Sequence, residues 1–145
     1  MVEVELSRII INERSDEQVI VLREKEGERE FPILIGIYEA TAIDRGVKEY
    51  RTPRPLTHDL ICLILRTLDA QVERVIVTDL RDQTFYSKLV LRHGGETYDV
   101  DSRPSDAIAL AVQLAAPIYV EEAVFEALSR AQENQAGPAE EEIAP

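Results

Sequence analysis

The sequence predicts an α+β fold, and three observations carry that expectation. Short runs are rich in valine and isoleucine or alternate with a period of two, longer segments place apolar residues three and four apart, and both kinds return in the same order half a chain later. A duplicated β-β-β-α-α unit is expected, its halves fused into a single domain with a mixed or antiparallel sheet and packed helices.

The elements follow in order. Val2 to Ile11 and Gln18 to Leu22 are strand-like runs separated by the polar turn NERSDE. EKEGERE, with Gly27 among charges, leads into a third strand on which Phe31, Ile33 and Ile35 share one face. From Ile37 the spacing becomes helical through Ala40, Ile43 and Val47, then loosens into an Arg- and Pro-bearing loop that ends at Pro55. A second helix runs from about Leu56 to Leu68. Its Leu60, Ile61, Ile64, Leu65 and Leu68 form a broad apolar stripe expected to face the core.

Val72 to Thr78 and Thr84 to Leu91 are the next two strands, joined around Asp82. HGGE is a hairpin turn whose two glycines permit positive φ, and Thr97 to Asp101 is the third strand of this half. Pro104 suits the first position of a helix, having no N–H to leave unsatisfied. That helix carries Ala107, Leu110, Ala111 and Leu114 on one face; a loop, APIYV, separates it from a last helix beginning near Glu121. Gly27 and Gly94 set an offset of 67 between the halves. At that offset Leu22 meets Leu89, Phe31 meets Tyr98, Ile33 meets Val100, Glu39 meets Asp106, Ala40 meets Ala107 and Ile43 meets Leu110.

Residues 1–128 make up the expected domain, and 129–145 an acidic tail with too few large apolar residues to offset the entropy of ordering. The 145 residues and 45% apolar content support one core without disulfides. No run reaches the roughly 18 apolar residues of a membrane span, and glutamates stand where a signal peptide needs basic residues. A cytoplasmic protein with no membrane partner is expected. Cys62, inside the apolar run LICLIL, is expected to be a buried thiol.

Net charge is −12, of which the tail carries −3. That opposes a nucleic-acid partner wrapped over the surface, because phosphate binding normally shows as an excess of Lys and Arg. One basic stretch stands against it: Arg45, Lys48, Arg51 and Arg54 recur every three residues and form the best candidate nucleic-acid contact, with an ordinary salt-bridged face as the alternative.

The junction DSRPSDAIAL and the strand before it concentrate ionisable groups. Asp99 and Asp101 point to one face of a strand, and Asp106 follows in the first turn of the helix, where it could cap free N–H groups. If the three converge, they are candidate ligands for Mg²⁺ or Mn²⁺, the divalent cations that activate water in much phosphodiester hydrolysis. Otherwise they are a solvated strand face, a helix cap and an ion pair with Arg103. His58, in the first turn after Arg54-Pro55, is the candidate general base, or else a structural hydrogen-bond partner of a carboxylate or carbonyl. His93, in the glycine turn, is expected to be exposed and idle. Glu39, the counterpart of Asp106, is either a third approach to the same site or a surface carboxylate.

Three segments taken together, FPILIGIYEATAI, RPLTHDL and VDSRPSDAIAL, with DQTFYSKL between the last two, resemble the bifunctional nuclease domain family over about residues 1–128. Gln83 departs from the family's pattern, which usually has glycine after this aspartate, and that bears on turn geometry. The resemblance implies a compact α+β domain with DNase and RNase activity reported among members. It suggests a metal-assisted nuclease of little sequence preference; the family name brings no residue-level mechanism, and the residues read above supply the candidates, His58 as base, Arg103 as transition-state stabiliser, and Asp99, Asp101 and Asp106 as metal ligands. The alternative is a non-catalytic oligomeric module whose polar motifs are caps and subunit contacts. A homo-oligomer is expected in either case, since a mixed sheet leaves unpaired edges.

Overall fold

Strand-forming runs rich in valine, isoleucine and leucine assemble into one seven-stranded sheet. The structure, a computed structural model, describes the backbone of residues 1–143 and the side chains of residues 1–134. In the first half β1 (Val2–Ile10), β2 (Gln18–Glu24) and β3 (Glu30–Ile35) form an antiparallel meander. The buried Gln18 amide closes the β1–β2 turn by donating to the carbonyls of Asn12 and Ser15, at 2.9 and 2.7 Å. In the second half β4 (Gln71–Arg81), β5 (Thr84–His93) and β6 (Glu96–Ser102) do the same.

A short strand that the sequence pattern did not reveal joins the two meanders. Ile118–Val120, expected as a loop, is β7, and the sheet order is β3-β2-β1-β7-β4-β5-β6. It pairs antiparallel with β1 and parallel with β4, and Ile118 and Val120 are buried. Three residues are too few to display a period, so only position in the fold marks them as strand.

The sheet curls strongly. Phe31 on β3 stacks on Phe85 of β5 with ring centroids 5.5 Å apart, although four strands separate them in sheet order. Phe125 meets Phe31 edge-on at 5.6 Å. It belongs to α4 (Glu122–Ile143), which Glu122 ties to Arg29 by a two-pronged ion pair. Beyond Leu128, where the sequence suggested an extension without regular structure, α4 continues as helix; its side chains from Ser129 to Asn134 are exposed.

α3 (Pro104–Leu114) begins at the proline expected to start it, and Ala107, Ile108, Ala109, Leu110 and Ala111 are all buried. Its alanines allow a close approach to β4 and β5. α1 (Ile37–Val47) lies against α3 with Ala40 and Ile43 fully buried. The two helices begin 67 residues apart, at the offset read from the sequence.

α2 (Thr57–Thr67) corrects an expectation. Leu60, Ile64 and Leu68, assigned to the core, are 52%, 48% and 61% exposed, and only Cys62 is buried. The helix turns Ile61, Cys62 and Leu65 inward and leaves an apolar outer face uncovered. Helical periodicity identifies an apolar stripe; it does not say whether the partner lies in the same chain.

Candidate active site

The first turns of three helices meet at one place, and the chain puts a charged or imidazole side chain on each. Glu39 stands in the first turn of α1, His58 is the second residue of α2, and Asp106 is the third of α3. Arg103, the residue before α3, spans two of these turns. Its Nε and Nη2 donate to Oδ2 and Oδ1 of Asp106 at 2.9 and 3.2 Å, and its Nη1 donates to Glu39 Oε1 at 3.1 Å. His58 Nε2 lies 3.0 Å from Asp106 Oδ1.

These contacts set the charge state of Asp106. Burial pushes its carboxyl up, but the hydrogen bonds from Arg103 and His58 outweigh that and hold it below the ordinary aspartate range. Arg103 is held charged by its hydrogen bond and proximity to Asp106 and, to a lesser degree, by Glu39. An ionised Asp106 can only accept, so His58 Nε2 carries the donated hydrogen, and in the neutral ring that leaves the lone pair on Nδ1. An imidazole so fixed can take a proton from a group placed at Nδ1.

His58, Arg103 and Asp106, the candidate catalytic residues, are therefore together. The candidate metal set is not. Asp99 and Asp101 lie on β6, the outermost strand, where Asp99 accepts from Lys88 Nζ at 2.8 Å. Both Asp106 oxygens are taken by Arg103 and His58. Among the described residues no group of three or more His, Cys, Asp or Glu side chains could hold a metal ion, so the carboxylates as arranged do not fit a divalent cation. Strand order supplies another reason for the two aspartates: exposed charges on an edge strand oppose pairing with a second sheet.

Capping also differs from expectation. Asp106 spends its oxygens on side chains rather than on the free N–H groups of α3, and the N-cap residue Arg103 makes no side-chain capping hydrogen bond. Asp59 accepts from the Leu56 N–H at 2.9 Å and from Gln113 Nε2 at 2.7 Å.

His58 also lines a cavity of about 620 Å³ between the end of α1, the α1–α2 connection, α2 and the end of α3. Arg45 and Arg51 of the candidate nucleic-acid stretch line it too. Lys48 instead pairs with Asp44 at 2.9 Å, and Arg54 is exposed outside the lining. Arg66, not singled out from the sequence, joins them; its spacing of four from Cys62 and eight from His58 on one helix face was the available signal. Buried Cys62 forms part of the wall, its thiol pushed up by burial and then by the charge of Asp59. His93 is exposed at the end of β5, beside the glycine turn, and is not in the cavity lining.

Comparison with known proteins bears on the same residues. The sequence pattern of the bifunctional nuclease domain matches residues 20–133, a span that contains the whole site. An uncharacterized protein of Mycobacterium tuberculosis is 40% identical over 125 residues, covering 86% of this chain and 74% of the relative. Bifunctional nuclease 1 of Oryza sativa subsp. japonica and the bifunctional nuclease of Oryza minuta are each 26% identical over 114 residues. Those matches cover 76% of this chain but 34% of either rice protein.

Proposed function

The chain belongs to the bifunctional nuclease domain family, and on that premise we propose that it hydrolyses phosphodiester bonds of DNA and RNA with little sequence preference. The observation that carries the proposal is that His58, held by Asp106, lines a cavity that Arg45 and Arg51 also line. In this scheme His58 Nδ1 takes a proton from water as the water oxygen bonds to phosphorus. The P–O bond to the departing sugar oxygen breaks, and that oxygen takes a proton from solvent. Arg45 and Arg51 offset charge on the phosphate oxygens. Arg103 is a positioning residue, fixing the Asp106 that fixes the imidazole. No membrane-spanning helix exists among the described residues, and a buried free thiol suits a reducing compartment, so we assign the activity to the cytoplasm.

Labelled DNA and RNA oligonucleotides, incubated with Mg²⁺, Mn²⁺ or EDTA, provide the test. Asp106→Ala should abolish cleavage of both, while Asp99→Ala and Asp101→Ala should cut as the parent does. Equal cutting by Asp106→Ala refutes the site. Cleavage that survives EDTA assigns the chemistry to side chains; cleavage lost in EDTA assigns it to a cation arriving with the substrate.

A second proposal, a non-catalytic oligomeric module, draws on the uncovered outer face of α2, where Leu60, Leu63, Ile64 and Leu68 are exposed together. A second copy of the chain is the occupant we assign to it. Sedimentation of the parent as a dimer or larger, and of Leu60→Lys/Ile64→Lys as a monomer, is the expected result; a monomeric parent refutes it.

A further inference from the structure

The cavity holds more positive charge than the proposed reaction uses. Arg45, Arg51 and Arg66 all line it, and among the described residues none is paired with a carboxylate. The arginines on strands, Arg8, Arg23, Arg74, Arg81 and Arg92, each have an acidic partner, whereas exposed Arg14 and Arg54, which stand singly outside the cavity, have none among the described residues. With 28 acidic residues against 16 basic ones, partners are abundant. Three unneutralised guanidinium groups around one concavity repel one another unless an anion sits between them. Of the two carboxylates in the lining, Asp59 is committed to the Leu56 N–H and Gln113, which leaves Glu49.

Size and walls narrow the ligand. About 620 Å³ lies within the 300–1,000 Å³ typical of small-molecule sites. Tyr50, 68% exposed, offers a ring on which a base can stack, and Leu63 adds apolar surface to the same cavity. A duplex keeps its bases inside and carries phosphates on all sides, so seating it here would press flanking phosphates against a surface with net charge −12. A single strand can send one nucleotide inward and keep the rest away.

We propose that this cavity is a subsite for one nucleoside-phosphate unit, its phosphate between Arg45, Arg51 and Arg66 and its base against Tyr50, and that the protein consequently takes single strands in preference to duplex. The proposal rests on the nuclease function above for its choice of ligand. His58 in the same wall places the bound unit beside the base that acts on it.

The test is equilibrium binding, read by fluorescence anisotropy in EDTA with the full chain. The probes are an eight-residue oligothymidylate, a blunt hairpin duplex and thymidine monophosphate as competitor. Single strand should bind at least tenfold more tightly than the hairpin. Arg66→Ala and Leu63→Trp, both at exposed positions, should each weaken single-strand binding about tenfold with unchanged melting curves. Arg66→Ala should also flatten the salt dependence, since one phosphate contact is gone. Equal affinity for strand and hairpin overturns the proposal, as does unaltered affinity in both variants. Oligonucleotide binding more than tenfold tighter than the mononucleotide makes the strand the occupant; equal affinity makes it a free nucleotide and overturns the strand preference. Binding without cleavage would leave the subsite standing and refute the nuclease function. Cleavage that depends on His58 but not on Arg66 or Leu63 would do the reverse.

Discussion

Asp106→Asn isolates the charge that holds the candidate site together, because it keeps the shape of the side chain and removes one acceptor. A hydrogen bond to a charged group contributes about 1.5–3 kcal/mol. The His58 contact belongs near the lower end, its side chains being 19% and 31% exposed. The Arg103 guanidinium is 64% exposed, so its pair with Asp106 counts as a surface interaction worth about 0.2–1 kcal/mol. Asparagine retains one acceptor oxygen, and the expected net loss at pH 7 is about 1.5 kcal/mol, or about 3–6 °C in Tm for a chain of this size. The pH dependence has a definite sign. Asp106 is held below its ordinary value of about 3.9, so its stabilisation is complete above that pH and fades as pH falls through the lowered folded value. Urea denaturation of parent and variant should show a gap that does not shrink between about pH 7 and 5 and narrows below about pH 3.5. A gap under about 0.5 kcal/mol at neutral pH, or one that widens in acid, would show that the hydrogen bonds to Asp106 do not anchor the three helix starts.

Three further outcomes are expected. Phe31→Ala should cost about 3–5 kcal/mol in chemical denaturation, because Phe31 is buried and touches both Phe85 and Phe125 where the curled sheet closes; a loss under about 1 kcal/mol would mean that the aromatic cluster is not a keystone. Gln83→Gly should raise Tm by about 2–4 °C, since Asp82 and Gln83 both have positive φ, 47° and 64°, in the β4–β5 turn, where a left-handed residue costs about 1–2 kcal/mol less as glycine before its entropy is counted; a lower Tm contradicts this. Deleting residues 129–145 should leave Tm within about 2 °C, as the side chains described after Leu128 are exposed; a drop of many degrees would mean that this segment packs.

Much of the fold was legible because it is written in local periods. Six strands run for six or more residues, most of them rich in valine, isoleucine and leucine, and four helices carry apolar stripes, with Pro104 the clearest start. β7 escaped because three residues show no period, and the outward face of α2 escaped because amphipathicity is silent about where its partner lies. The site divides in the same way. Alternation put Asp99 and Asp101 on one face of a strand, but only sheet order reveals that strand as the edge. The contacts that build the site join residues 48 and 64 apart, and no local pattern reports them. What the sequence did offer was the 67-residue offset, which matched Glu39 with Asp106 and so anticipated that both stand at helix starts.

The His58 imidazole is the group on which the proposed chemistry depends, and its removal is the most direct trial. Parent and His58→Ala, purified side by side and matched for folding by circular dichroism, would be compared for single-turnover cleavage of a defined single-stranded oligonucleotide. General base catalysis contributes about 10²–10⁴ in rate, so a fall of at least a hundredfold is expected. A variant that cuts at the parent's rate would contradict the assignment of hydrolysis to the His58–Asp106 pair.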